Sequence, residues 1–146
     1  MSLLNCFRLV SFFLFVHFFT DGLSQEKINP IELTYKQIDT LKLSLKIYYP
    51  ASYQKGQSLP TIVFYFGGGW NGGSITQFEP HALHYANKGL ISVLIDYRVK
   101  TKHQTSPFES LKDAKSAIRY LRKNAQNLGI NPDRIVGSGG SAGGHL

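Results

Sequence analysis

The strongest constraint in the sequence is its last stretch, Ile135-Val136-Gly137-Ser138-Gly139-Gly140-Ser141-Ala142-Gly143-Gly144-His145. A short apolar run enters a glycine cluster, and Ser141 stands at the centre of a Gly-x-Ser-x-Gly frame bounded by Gly139 and Gly143. Such a frame suits a sharp, strained strand-to-helix turn. Small residues on either side let two backbones pass closely, and the serine is held at the tip.

The chain upstream supplies strands and helices in alternation. Leu41, Leu43, Leu45, Ile47 and Tyr49 alternate with Lys42, Ser44, Lys46 and Tyr48 up to Pro50, the period-two pattern of a half-exposed strand. Residues 31–38 are strand-like too, and Asp39-Thr40 leaves room only for a tight connection, so the two form an antiparallel hairpin. Residues 50–60 carry two prolines, Gly56 and polar side chains, and read as a loop. Thr61 to Phe66 is nearly continuously apolar, as expected of a strand covered on both faces. It runs into residues 67–73, where five of seven are glycine and regular structure is excluded.

A short helix is predicted from Pro80 to Lys88, stopped by Gly89, with a second buried strand from Leu90 to Ile95. The clearest helix follows. Ser106 as N-cap, Pro107 at the first helical position and Glu109 form a capping box. Phe108, Leu111, Ala114, Ala117, Ile118, Leu121, Ala125 and Leu128 then recur every three or four residues as one apolar stripe. Arg119, Arg122 and Lys123 favour its carboxyl end, and Gly129 supplies the stop. Asn131-Pro132-Asp133 is expected to turn the chain into a third buried strand from Arg134 to Gly137. A hairpin followed by strand, helix, strand, helix, strand implies an α/β fold with parallel strands joined by right-handed crossovers.

Composition sets the class. The 146 residues are 42% hydrophobic and 17% charged with 14 glycines, a globular mixture long enough for a packed core. The formal net charge of +7 comes from scattered Lys and Arg, densest at Arg98, Lys100 and Lys102. No nucleic-acid motif accompanies them, and no nucleic-acid partner is expected. Residues 1–24 read as a secretory signal: Arg8 precedes an apolar stretch from Leu9 to Phe19, and Gly22-Leu23-Ser24 offers small residues before Gln25. The apolar stretch is about half of the roughly 20 residues that span a bilayer. Stable membrane insertion after cleavage is therefore not expected, and the location is secreted or periplasmic. The sole cysteine, Cys6, lies in this segment, so residues 25–146 can form no disulfide among themselves.

A serine becomes a nucleophile only when a base takes its proton, and an acid usually orients that base. It also requires amide donors aimed at the developing oxyanion. The turn places one of them, the N–H of Ala142, directly after Ser141. The loop after an earlier strand must supply another, and Gly67-Gly68-Gly69 stands after the first buried strand.

Together, Phe66-Gly67-Gly68-Gly69-Trp70, Asp96-Tyr97-Arg98, Asn131-Pro132-Asp133-Arg134-Ile135 and Gly139 to His145 resemble the α/β-hydrolase esterases of the hormone-sensitive-lipase and carbohydrate-esterase type. The resemblance covers residues 30–146 and is nearest to the secreted acetyl-xylan or feruloyl esterase-like branch, the BD-FAE group. It implies that residues 25–146 are the amino-terminal part of an α/β-hydrolase domain, ending just after the nucleophile elbow. It further implies that Ser141 is the nucleophile, that Gly68, Gly69 and Ala142 supply oxyanion amides, and that no cofactor or metal is used. A small ester or an acylated polysaccharide would be the substrate, attacked through an acyl-enzyme. The oligomeric state is left open.

Two departures stand out. Phe66 occupies the position where this family often has His before the three glycines. The triad order in the fold is Ser, then Asp or Glu, then His, yet only five residues follow Ser141, so the triad acid and His are absent. His81, His84, His103 and His145 read as surface or packing residues, and Asp96 as a structural carboxylate holding Arg98 or a backbone turn. Two other readings remain. The first is a non-catalytic fragment that binds a carbohydrate or partner through exposed aromatics such as Trp70 and Tyr97. The second is a dinucleotide loop, from the degenerate Gly137-x-Gly139-x-x-Ala142 fingerprint.

Overall fold

The computed structural model describes residues 28–146; the signal-segment reading and Cys6 lie outside them. Five strands form one sheet in the order β1-β2-β4-β3-β5, with β1 at Ile31–Ile38, β2 at Leu41–Tyr48, β3 at Leu59–Tyr65, β4 at Ile91–Ile95 and β5 at Ile130–Gly139. The hairpin β1-β2 is antiparallel as expected, turning at Asp39 with φ 51°, and β2 continues antiparallel to β4. The parallel part is β4-β3-β5, with β3 in the middle, so the apolar run that began at Thr61 is the central strand.

Alternation along the strands sorts the core into two layers. Ile62, Phe64, Leu94 and Tyr48 face α1 (Glu79–Ala86) and meet Ala82 and Ala86. Val63, Tyr65, Val93, Ile95, Leu43, Leu45 and Ile47 face the opposite way and meet Ala114, Ala117 and Leu121 of α3 (Pro107–Lys123). A short turn α2 (Lys100–His103) precedes α3, and another, α4 (Ala125–Leu128), follows it. With helices on both faces, β3 and β4 have no exposed side, which explains their unbroken apolar character. Tyr48 departs from the half-exposed reading of its strand. It is fully buried under α1, where its hydroxyl donates to Glu79 Oε1 at 2.8 Å.

The capping box forms as predicted: the Glu109 carboxylate accepts from the Ser106 N–H at 3.0 Å, and the Ser106 hydroxyl accepts from Phe108 N–H. Two details of the helix differ. Phe108 is 73% exposed, because two residues past the cap its position points away from the sheet. The helix also breaks at Asn124, and Ala125–Leu128 forms a separate turn closed by Gly129 at φ 66°.

The third parallel strand differs more. It starts at Ile130, and Asn131-Pro132-Asp133 is a bulge inside it rather than a turn before it. Leu59 faces Ile130 while Thr61 faces Ile135, so residues 131–134 are looped out, with Asn131 Oδ1 accepting from Asp133 N–H at 3.0 Å. Nor is the strand buried: it pairs only with β3 among the described residues, and Val136 is 59% exposed. Apolar sequence reports what a strand can bury, whereas its place in the sheet decides what it does bury.

Candidate active site

β5 delivers the chain to Ser141, which adopts φ 50°. This left-handed conformation costs a non-glycine residue about 1–2 kcal/mol and must be imposed by its surroundings. The surroundings are two near-collisions. A Cβ on Gly139 would lie 2.5 Å from the carbonyl of Gly143, and one on Gly143 would lie 2.1 Å from the Tyr65 carbonyl oxygen. The Gly-x-Ser-x-Gly spacing is therefore a steric requirement: the chain leaving the serine crosses the chain entering it, against the end of β3. A 3-10 turn over Ser141–His145 follows, with Ala142 and Gly143 buried and Ser141 exposed.

The glycine loop after β3 sits directly beside this turn. A Cβ on Gly67 would be 2.8 Å from Gly140 O and 3.5 Å from Ser141 Cβ. Gly68 and Gly69 take φ values of 140° and 62°, and the Gly68 carbonyl accepts from the N–H groups of Asn71 and Gly72 at 3.0 and 3.2 Å. The amide of Gly67 donates to Gln77 Oε1 at 2.6 Å. The amides of Gly68, Gly69 and Ala142 engage no acceptor among the described residues. The loop is anchored outward as well, its Trp70 and Asn71 carbonyls accepting from the N–H groups of Lys100 and Thr101 at 2.8 and 2.9 Å.

At the position where His is common, the Phe66 ring stacks on Tyr97 with centroids 4.0 Å apart, and the Tyr97 hydroxyl donates to the Phe66 carbonyl. Burial, with the Asp96 carboxylate adding to it, pushes that hydroxyl up to about 12, so it stays protonated as a donor. Tyr97 is fully buried, which corrects its reading as an exposed binding aromatic. Trp70 is half-buried, edge-on to His145 at 5.8 Å.

His81, His84, His103, His145 and Asp96 each have a local partner. His145 Nδ1 lies 2.9 Å from the Ser141 carbonyl oxygen, His103 Nδ1 accepts from Val99 N–H at 3.0 Å, His81 packs on Phe78 and Phe64, and His84 on Tyr85. Asp96 accepts from Tyr97 N–H at 3.0 Å, and burial raises its carboxyl. It holds a backbone turn as expected, but Arg98 does not pair with it. Arg98 pairs instead with Asp113, donating from Nε at 2.7 Å and Nη2 at 2.9 Å, while Lys36 Nζ donates at 2.6 Å to the same carboxylate. Asp113 is fully buried. Burial alone would push its carboxyl up, but the hydrogen bonds from Arg98 and Lys36 outweigh that and hold it below the usual carboxylate range. Gln77 and Asp113 both escaped the sequence reading. A polar residue on the apolar stripe of α3 was the available signal for Asp113; Gln77 had none.

A groove of about 780 Å³ opens beside the glycine loop, lined by Gly69, Trp70, Asn71, Lys100, Thr101 and Gln104 to Pro107. Among the described residues there is no group of His, Cys, Asp or Glu that could hold a metal, and no helix is long and apolar enough to cross a membrane.

Known proteins resemble this chain in sequence, and solved structures resemble it in fold. Carboxylesterase NlhH of Mycobacterium tuberculosis is 34% identical over 106 residues, covering 71% of this chain and 32% of that protein. The human cocaine esterase is 34% identical over 110 residues, covering 70% of this chain and 19% of that protein. Esterase 2 of the planctomycete Thermogutta terrifontis superposes with a TM-score of 0.78 at 44% identity, covering 80% of this chain and 41% of that one. A second structure of that esterase, phosphorylated by paraoxon, matches with the same TM-score at 43% identity, covering 80% and 45%. The chain thus spans about a third or less of the length of these curated relatives. The BD-FAE family model matches residues 45–146, which include the glycine loop, the elbow and the residues of the dinucleotide fingerprint, so that alternative falls. An α/β-hydrolase fold, a strained serine between Gly139 and Gly143, and this family match together place the chain in the BD-FAE family of esterase-like α/β-hydrolases.

Proposed function

We propose that these residues carry the nucleophile and oxyanion donors of a serine carboxylic-ester hydrolase. The observation that carries this reading is the adjacency of two distant motifs: the backbone of Gly67 runs against Ser141, which is itself held at φ 50°. Ser141 Oγ attacks the ester carbonyl, and the oxyanion of the tetrahedral intermediate accepts from Gly68, Gly69 and Ala142. Donors of this kind contribute about 3–4 kcal/mol each to transition-state stabilisation. Collapse expels the alcohol and leaves an acyl-enzyme, which water hydrolyses. The triad acid and base belong, by the order of the fold, after Ser141 in the chain.

The alcohol is proposed to be a sugar of an acylated polysaccharide. The groove beside Gly69 supports this, being lined by the Trp70 ring and by the amide-bearing residues Asn71 and Gln104. The protein is proposed to be secreted, on the strength of residues 1–24. Retention in the cells with residues 1–24 still attached would count against that, and recovery from the medium with an amino terminus near Gln25 is the expected result.

The activity is tested on the full-length protein. Paraoxon should phosphorylate Ser141, located by peptide mass spectrometry, and Ser141→Ala should be unlabelled and lose at least about 10⁴-fold in kcat on short-chain nitrophenyl or acetyl esters. Turnover by Ser141→Ala at the parent rate would refute the reading. A parent protein with neither labelling nor turnover would favour the non-catalytic binding fragment, tested by its retention on acylated xylan.

A further inference from the structure

The glycine loop and the nucleophile elbow are far apart in sequence, and both touch one small element. The 3-10 turn Ile75–Phe78 is capped by Ser74, whose hydroxyl accepts from Thr76 N–H at 3.2 Å. Its last two side chains diverge. Gln77 Oε1 accepts from the Gly67 N–H at 2.6 Å. Phe78 stacks on Phe64 of β3 with centroids 5.7 Å apart, and its ring edge would meet a Cβ on Gly140 at 2.9 Å. The turn therefore packs against the residue before Ser141 while its neighbouring side chain grips the residue before Gly68.

We propose that Gln77 is a positioning residue for the glycine loop, fixing the peptide plane of Gly67 so that the next two amides face the oxyanion. The proposal rests on the reading of Ser141 as the nucleophile. Three facts support it. The three glycines have no side chains with which to fix their own peptide planes, so the loop must be fixed from outside. The Gly67 amide is the one amide of the three glycines with a side-chain acceptor, Gln77, while those of Gly68 and Gly69 engage no acceptor among the described residues. The residue before the loop is Phe66, whose side chain carries no polar atom to hold its neighbours; the Tyr97 hydroxyl takes the Phe66 carbonyl and Gln77 takes the next amide. One peptide unit is thus gripped at both ends, by side chains 31 and 10 residues away in sequence.

The test uses the full-length protein with Gln77→Ala and Gln77→Glu, the second of which keeps an acceptor oxygen at the same reach. Three quantities are read: amide hydrogen exchange at Gly67, kcat and KM on a short-chain nitrophenyl ester, and the thermal midpoint. Gln77→Ala is expected to speed Gly67 exchange at least about tenfold and to lower kcat about tenfold, with KM within about twofold and the thermal midpoint unchanged. Gln77→Glu is expected to restore both. Parent-like exchange and kcat in Gln77→Ala would overturn the proposal. So would a loss of kcat that tracks a lower thermal midpoint and is not restored by Gln77→Glu. If the parent shows no Ser141-dependent turnover, the esterase reading fails, and Gly67 exchange still decides whether Gln77 holds the loop.

Discussion

Of the glycines in the elbow, Gly143 has the least room, 2.1 Å from a would-be Cβ to the Tyr65 carbonyl oxygen. That oxygen belongs to the central strand and cannot withdraw without breaking the sheet. Gly143→Ala should therefore destabilise by about 3 kcal/mol in urea unfolding, whereas Gly137→Ala, with nothing within 4 Å of its Cβ, should stay within about 0.5 kcal/mol. Equal stabilities for the two would show that the elbow relaxes freely. The need for small residues at 139 and 143 was legible from their spacing around Ser141. The burial of Tyr97 was not, because a tyrosine at a strand end is as suited to solvent as to the Phe66 ring until the glycine loop folds back over it.

At the scale of elements, Asp113 joins three of them: α3, on which it sits, β1 through Lys36, and the segment after β4 through Arg98. Removing the carboxylate leaves two partly buried cations facing each other, so Asp113→Ala should cost about 3 kcal/mol at neutral pH. Its pH dependence has a definite sign. The carboxyl is held below its unfolded value, so its contribution is complete above about pH 5 and drains away as pH falls through the unfolded value near 4 toward the lower native one. The urea midpoints of parent and Asp113→Asn should differ at pH 7, and the gap should narrow progressively as the pH is lowered below about 4. A constant gap would mean that the shape of the residue matters rather than its charge. The sequence showed the capping box and the stripe of α3 because both are set within a few residues. It offered Asp96 as a holder of either Arg98 or a backbone turn because both are neighbours in sequence; Asp96 holds the turn, and the partner of Arg98 lies 15 residues on, one helix away.

For the whole molecule, the sheet has a covered centre and an open side. β1 closes one edge, twisted by a bulge between Thr34 and Lys36, while among the described residues β5 pairs with β3 alone and leaves Val136 exposed. An unpaired strand edge of this kind is a template for association. Residues 28–146 produced on their own should self-associate by light scattering, and Val136→Lys should reduce it. A monomer at all concentrations would mean that the bulge at 131–134 already protects this edge. Sequence by itself determined the order of elements, the hairpin, the capped helix and the Gly-x-Ser-x-Gly turn, since each follows from backbone sterics and periodicity acting over fewer than about twenty residues. Only the tertiary structure decided that β3 is central and β5 an edge, that Tyr97 grips Phe66, that Gln77 grips Gly67 and that Asp113 takes both Lys36 and Arg98. Each of these is a contact between segments that local chemistry leaves free to meet or not, and only packing the two helical layers onto one sheet brings them together.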